Sequence, residues 1–343
     1  MTTTTATAPA LPAHVQLIQM AAGSWVAAAL YGAAKLGLAD LLADGPRTAA
    51  DLAPATGAHA PTLHRFLRTL GSLGIVADTG GGRFALTPLG EALKSGAPGA
   101  ARSTIMMFGG PLFWRTWEEI VYSLQTGKTG FEKVWGMGAF DYLAQHPAEA
   151  SLFSETMVGF HGSEPPTVAE AYDFSSLKTV ADIGGASGNM LAAILTRHPS
   201  VRGVLYDLPH VVRDAPTLLK ARGVDDRVTI ESGSFFERVP SGADAYIMSH
   251  IIHDWSEEQC LTILGNCRKA MRPDSRLLIV ETVIPEDNSP HQGKIQDLVM
   301  LVIPGGQERT EAEYDSLLTK GGFKLRRVIP TASVVSIVEA IPA

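Results

Sequence analysis

The stretch VADIGGASGNM, residues 180–190, decides the fold. Residues 180–183 read as a short apolar strand, Gly184, Gly185 and Gly188 as a tight turn, and the residues after them as the start of an apolar helix. A unit of this kind brings a ligand close to the backbone at the end of a parallel strand. Its spacing is GGxxG and departs from the dinucleotide fingerprint GxGxxG, which favours a smaller nucleoside over a pyrophosphate. Short strands then alternate with helical stretches, at 204–206, 228–230, 245–248 and 277–280. That alternation predicts a parallel, doubly wound α/β sheet. Two late strands, near 325–328 and 334–338, fit an edge hairpin with an antiparallel member.

The second strand ends in VLYDLPHV, with Asp207 placed 19 residues beyond Gly188. A carboxylate there accepts both ribose hydroxyls of a nucleoside. In the segment ESGSFFERVP, Ser234 and Phe235 set a polar group beside an aromatic ring, a pair able to bond an adenine edge and stack on its face.

The fourth strand runs into SHIIHDWSEEQC, residues 249–260. Open parallel sheets bind ligands at the carboxyl ends of their strands, so His253 is placed at the mouth of the site and not in the core. His250 is out of phase and reads as packing or capping. Glu281 ends the next strand and faces the same side, and Glu308 follows a glycine-rich loop from which it returns there.

The N-terminal part reads differently. Residues 15–42 are helical and apolar on nearly all sides, the pattern of a helix buried in its own domain or in a partner, and the low charge here favours a dimer interface. Three short helices and a hairpin around DTGGG follow, a winged-helix arrangement. This unit offers few basic groups, mainly His64, Arg65, Arg68 and Arg83. With a net charge of -7, the chain lacks the basic face that nucleic acid requires. Residues 100–170 are helical and rich in aromatics and methionines. Most of these are core residues, but Met107, Phe113, Trp114, Met157 and Phe160, with His161, are candidates for the wall of a pocket for a flat substrate. Cys260 and Cys267 lie seven residues apart and read as two thiols on one helix face, in keeping with a reducing, cytoplasmic compartment. The first residues read as a disordered tail without the features of a signal peptide. No apolar run is expected to reach the ~20 residues of a membrane helix, and no metal cluster is expected.

The ordered set DIGGASG, YDLPHV, GSFF, HDWSEE, PDSRLLIVETVIP, GGQERTEAEY and GGF resembles the S-adenosylmethionine-dependent O-methyltransferases of the plant caffeate and bacterial polyketide type. The resemblance covers nearly the whole chain. It implies a tail at 1–12, a winged-helix dimerisation domain at 13–100, a helical linker and substrate wall at 101–172, and a Rossmann-like cofactor domain at 173–343. It implies that Gly184, Gly185 and Gly188 hold the methionine part of the cofactor, that Asp207 binds the ribose, and that Leu208 packs near the adenine. Gly233, Ser234, Phe235 and Ser249 complete the cofactor set. Ser234 stands where the family commonly has Asp, and Ser249 where plant members often carry Lys. His253 matches the general base, with Glu281 and Glu308 as the acids that flank it and Asp254 on the substrate side. S-adenosylhomocysteine would be the other product.

The residue types agree with this chemistry. A phenol has a pKa near ~10 and is little ionised at neutral pH. Histidine accepts its proton as the oxygen attacks, and a carboxylate on the other ring nitrogen fixes the tautomer. The acceptor implied is a hydroxylated aromatic small molecule of bacterial secondary metabolism. Three other readings use parts of the same sequence: an N- or C-methyltransferase on the same fold, a winged-helix ligand-responsive regulator, and a nicotinamide dehydrogenase. The histidine favours O-methylation over the first. Weak basic content counts against the second, and the GGxxG spacing against the third.

Overall fold

A computed structural model describes residues 11–343, so the expected tail at 1–12 lies almost wholly outside the described residues. The chain divides into two compact units. One runs to Trp114 and takes in Ala148–Phe160; the other comprises Arg115–Pro147 and His161–Ala343. The helical stretch 101–172 is thus shared between them.

In the first unit a long helix, Ala13–Lys35, is followed by a turn at Gly37 and a short helix, Leu38–Leu41. Helices Ala49–Thr56 and Ala60–Ser72 come next. Thr48 and Asp51 cap the former reciprocally, and Gly57 ends it in the left-handed region. The expected hairpin is present as β2 (Val76–Gly80) and β3 (Arg83–Leu86). A two-residue strand, β1 (Arg47–Thr48), pairs with β3 and completes a three-stranded wing that the sequence does not announce. Leu52, Leu63, Leu67, Leu70 and Phe84 form its core.

The long helix buries only Ala33 and Ala34. Leu17, Met20 and Trp25 are 67%, 77% and 77% exposed. The expectation that no run reaches membrane length is corrected here. This helix has 23 residues and a mean hydropathy of 1.3 in its most apolar window, enough by length and composition to cross a membrane. The reason is local: between its ends, small and apolar residues are interrupted only by uncharged polar ones and His14.

The second unit carries a seven-stranded sheet of order β6-β5-β4-β7-β8-β10-β9. Its strands are β4 (Thr179–Ile183), β5 (Arg202–Asp207), β6 (Val228–Ser232), β7 (Ala245–Ser249), β8 (Arg276–Glu281), β9 (Phe323–Pro330) and β10 (Ser336–Pro342). The first five are parallel. β10 is antiparallel to both β8 and β9, so it lies between them and β9 is the edge. The central strands are buried along nearly their whole length because helices cover both faces, whereas β6 and β9 alternate with exposed residues. The chain reverses direction across the sheet beside β4, and the loops after β4, β5, β6, β7 and β8 all leave from its carboxyl edge.

One buried charge ties the antiparallel strands together. Glu339 on β10 is fully buried and accepts hydrogen bonds from Arg276 Nη1 at 2.9 Å, Arg327 Nε at 2.5 Å and the Tyr172 hydroxyl at 3.0 Å. Removing it strands two guanidinium groups that are themselves partly solvated. Glu339→Ala is expected to destabilise the protein by ~1–3 kcal/mol, less than a fully buried pair would lose, and Glu339→Gln by less. Denaturant unfolding checks this; equal midpoints for the wild type and Glu339→Ala would show that the cluster contributes nothing.

Candidate active site

The candidate residues gather at the carboxyl ends of β4 to β8. Gly184 follows β4 with φ of 72°, and its α-carbon lies under Ile251 and Phe235; an added Cβ would come 2.4 Å from Ile251 Cδ1. Behind Gly185 lies Asp182, whose carboxyl carbon would be 2.5 Å from an added Cβ. Gly188 caps helix Asn189–Arg197. The loop is locked by Asp207, whose Oδ2 accepts the Ala186 N–H at 2.9 Å while Oδ1 accepts its neighbour Leu208 N–H at 2.7 Å. Leu208 is 40% exposed and offers an apolar surface beside it.

Asp182 was missed by the sequence reading. It is 1% exposed, and neither carboxylate oxygen has a hydrogen-bond partner. Burial pushes its pKa up to about 7, the Asp207 charge adds to the rise, and the Leu191 amide partly opposes it. Burial also raises Asp207. A buried and a half-buried acid thus stand behind the glycine loop. They fit a ligand with a cationic amino-acid end and a nucleoside end better than they fit a polyphosphate.

The third loop follows β6. Phe235 is half-buried against Phe236 and Trp255. Gly233 lies against the Tyr206 ring, and an added Cβ would meet its hydroxyl. The Ser234 hydroxyl accepts the Phe236 N–H at 3.3 Å, so it caps its own turn. Ser249 ends β7, half-buried.

His253 departs from the expected position. It lies in a single helical turn, Ile252–Asp254, and is 4% exposed, so it is buried and not at an open mouth. The cause is the loop that carries Glu308. Gly306 lies on the His253 carbonyl so closely that a Cβ would approach it to 1.9 Å, and Gln307 N–H donates to that carbonyl at 2.9 Å. Two helix starts hold the segments in place: Ser256 and Gln259 cap the helix after Trp255 reciprocally, and Thr310 and Glu313 cap the one after Arg309.

The two flanking acids do different jobs. His253 Nδ1 is 2.8 Å from Glu308 Oε1, and that contact fixes the ring. Glu281, the other candidate for that ring nitrogen, binds the backbone instead. Its Oε1 accepts the N–H of Ile251 and of His253, each at 3.1 Å, and its Oε2 accepts the Tyr314 hydroxyl. Asp254 Oδ1 lies 3.7 Å from His253 Nε2, beyond hydrogen-bond reach. In the neutral ring, with Nδ1–H donating to Glu308, Nε2 carries the lone pair. Burial depresses the His253 pKa, but the Asp254 charge, the Glu308 hydrogen bond and the Glu281 charge outweigh it and hold it up at about 10. Burial raises Asp254 to about 7 against the pull of His253.

Tyr314, Arg309 and Asp297 also belong to this site and were not singled out from the sequence. Arg309 is buried and donates to the carbonyls of Ile252, at 3.3 Å, and Gln307, at 3.1 Å. Asp297 accepts the Glu308 N–H at 2.8 Å. The first two lie inside the quoted segment GGQERTEAEY, but nothing in their spacing marks a role.

His250 was expected to pack or cap, and it does more. Its Nε2 is 2.6 Å from Glu164 Oε2, its ring stacks on His161 at 3.7 Å, and its Nδ1 is buried without a hydrogen-bond partner. The absence of a metal-capable cluster, expected from the sequence, does not hold: His161, Glu164 and His250 come together. The remaining substrate candidates lie in the first unit. Met107 and Phe113 are buried there, Phe108 contacts both Phe113 and Phe160, and Trp114 and Phe160 are 37% and 40% exposed. A cavity of about 220 Å³ bordered by Thr282, His291, Gln296, Thr331, Ser333 and Ser336 includes none of the candidate residues, so convergent side chains and not concavity locate the site.

Residues 114–324 match the O-methyltransferase domain family, and residues 18–96 match the O-methyltransferase dimerisation domain. A phenazine O-methyltransferase from Lysobacter antibioticus is 47% identical over 335 residues, 98% of each chain. The crystal structure of LaPhzM superposes with a TM-score of 0.92 at 46% identity, covering 97% of this chain and all of that one. The O-methyltransferase NcsB1 from neocarzinostatin biosynthesis, solved with S-adenosylmethionine and 2-hydroxy-5-methyl naphthoic acid, gives a TM-score of 0.82 at 32% identity over 93% of this chain and 96% of its own. The chain therefore belongs to the O-methyltransferases that join a dimerisation domain to an α/β catalytic domain.

Proposed function

We propose that this enzyme transfers the methyl group of S-adenosylmethionine to a hydroxyl of an aromatic small molecule of bacterial secondary metabolism. The buried pair of His253 and Glu308 is the observation that carries the reading. The donor supplies an electrophilic methyl on a cationic sulfur. Asp182, the 184–188 loop, Asp207 and Leu208 are the residues proposed to hold it. Glu308 orients the imidazole, Glu281 and Arg309 hold the backbone turn beneath it, and Nε2 takes the hydroxyl proton. The dimerisation-domain match and the exposed apolar helix support a homodimer through the first unit. The two buried free thiols fit a reducing compartment, the cytoplasm.

His253→Ala should keep donor affinity, read by calorimetry, and lose ~100- to 10,000-fold in turnover on a phenolic acceptor. Mass spectrometry and NMR of the wild-type product test the site of transfer. A methyl on nitrogen or carbon would overturn the O-methyl assignment, and undiminished turnover in the variant would remove His253 from the mechanism.

The pH profile tests the pair separately. Three acids lift the His253 pKa. The acid limb of kcat/KM should therefore lie above the ordinary histidine value of ~6.5. Glu308→Gln removes one negative charge, so that limb should move to lower pH as kcat falls. A limb that stays in place would separate Glu308 from the titrating group.

Asp182 makes a prediction about stability. Its folded pKa of about 7 exceeds the unfolded value of 3.8, so the folded state binds the extra proton. The resulting penalty is absent below about pH 4, grows between pH 4 and 7, and is constant above. Asp182→Asn should be more stable than the ligand-free wild type at pH 8, by on the order of 2 kcal/mol, with the gap closing by pH 4. It should also bind the donor more weakly. Thermal melts across pH check the first point, and a gap independent of pH would refute the assignment.

A further inference from the structure

Beside His253 a second group of side chains converges that methyl transfer leaves without a task. His161 ends helix Pro147–His161, Glu164 begins helix Glu164–Ala171, and His250 follows β7. Glu164 Oε1 is 3.1 Å from His161 Nδ1, and Oε2 is 2.6 Å from His250 Nε2. The three ligand-type atoms all lie within 4.8 Å of one another. The two imidazoles stack with centroids 3.7 Å apart and a tilt of 35°.

The charge balance of this group is unusual. Glu164 is 3% exposed, and a buried carboxylate requires a compensating cation. Among the described residues no lysine or arginine pairs with it, and its ion-pair partners are the two histidines. Two imidazoles with centroids 3.7 Å apart disfavour each other's protonation and are a poor source of the balancing charge. A carboxylate and two imidazoles are donors that a metal ion takes in place of protons.

We propose that His161 Nδ1, Glu164 and His250 Nε2 bind one divalent transition-metal ion of the zinc class. Two imidazole nitrogens and one carboxylate form a common donor set for such ions and leave at least one coordination position open. Metal–ligand distances of about 2.0–2.2 Å require the donors to open by roughly an ångström or less from their hydrogen-bonded separations. His250 Nδ1 has no partner, so stacking and the left-handed backbone at His250, φ 54°, fix this ring in place of a second hydrogen bond. The His250 ring centroid is 5.1 Å from that of His253, which places the ion next to the proposed base. The inference does not rest on the role of His253, because its test reads the metal itself.

The untagged full chain, dialysed against a chelator, is titrated with Zn2+ by calorimetry and with Co2+ by visible absorption. The expected result is one equivalent per chain with a ligand-field spectrum of N/O coordination. Glu164→Gln and His161→Ala should each weaken Zn2+ binding by more than roughly 100-fold, and His210→Ala, an exposed control, should not. Because a variant at a buried site can lose its fold, wild-type crystals soaked in Co2+ give an independent reading. The anomalous peak should lie among the three side chains. Less than one equivalent in the wild type, unchanged binding in Glu164→Gln, or a peak elsewhere would overturn the proposal and leave a hydrogen-bonded triad without a metal.

Discussion

The contact between His253 Nδ1 and Glu308 Oε1, 2.8 Å long and closed to solvent, is the constraint on which the rest of the site depends. A buried imidazole beside a buried carboxylate is stable only if both are held by other groups. The surrounding structure meets that requirement. Asp297 fixes the backbone of Glu308, Arg309 ties the turn carrying His253 to the loop carrying Glu308, and Glu281 accepts two N–H groups of that turn. Tyr314 holds Glu281 in turn. Each group orients the next, and the chain of contacts ends in helices with their own reciprocal caps. A histidine so placed cannot drift between tautomers, which is the property a general base requires.

Much of this was legible in the sequence, for identifiable reasons. β4, β5, β7 and β8 are buried on both faces, and a strand buried on both faces must be written as an unbroken apolar run. Their carboxyl ends then located Asp207, His253 and Glu281. Glu308 was found because a glycine-rich segment before it marked a return loop. β1 was not visible because two residues carry no periodicity, and the depth of His253 was not visible because the lid over it, Gly306 and Gln307, comes from more than 50 residues away.

The misreadings share a cause. Glu281 was one of two candidates for the ring nitrogen because it ends a strand, but a strand end gives a direction and not a partner; the N–H groups of the tight turn were nearer. Glu164 looks like an ordinary acid at a helix start, which the first turn of a helix favours. Its contact with His250 spans 86 residues, and no local pattern records such a pairing. Asp182 sits inside the most readable strand of the chain, where its burial without a partner could not be inferred. Long-range pairing of buried charges is the part of the site that a single sequence hides.

The distribution of charge in the second unit then acquires a physical sense. Asp182, Glu281 and Glu308 are buried, and Asp207 and Asp254 half-buried, near the ends of the central strands, with Arg309 as a buried cation beside them. Burying so many acids is costly unless a cation shares the space. On the proposed reading, a donor with a positive sulfur meets that need, and its demethylated product, neutral at sulfur, meets it less well. Methyl transfer would then weaken the hold of the pocket on its own product by removing the charge that attracted the donor. Asp182, unpartnered behind the donor loop, would thus be a source of affinity that the reaction itself switches off.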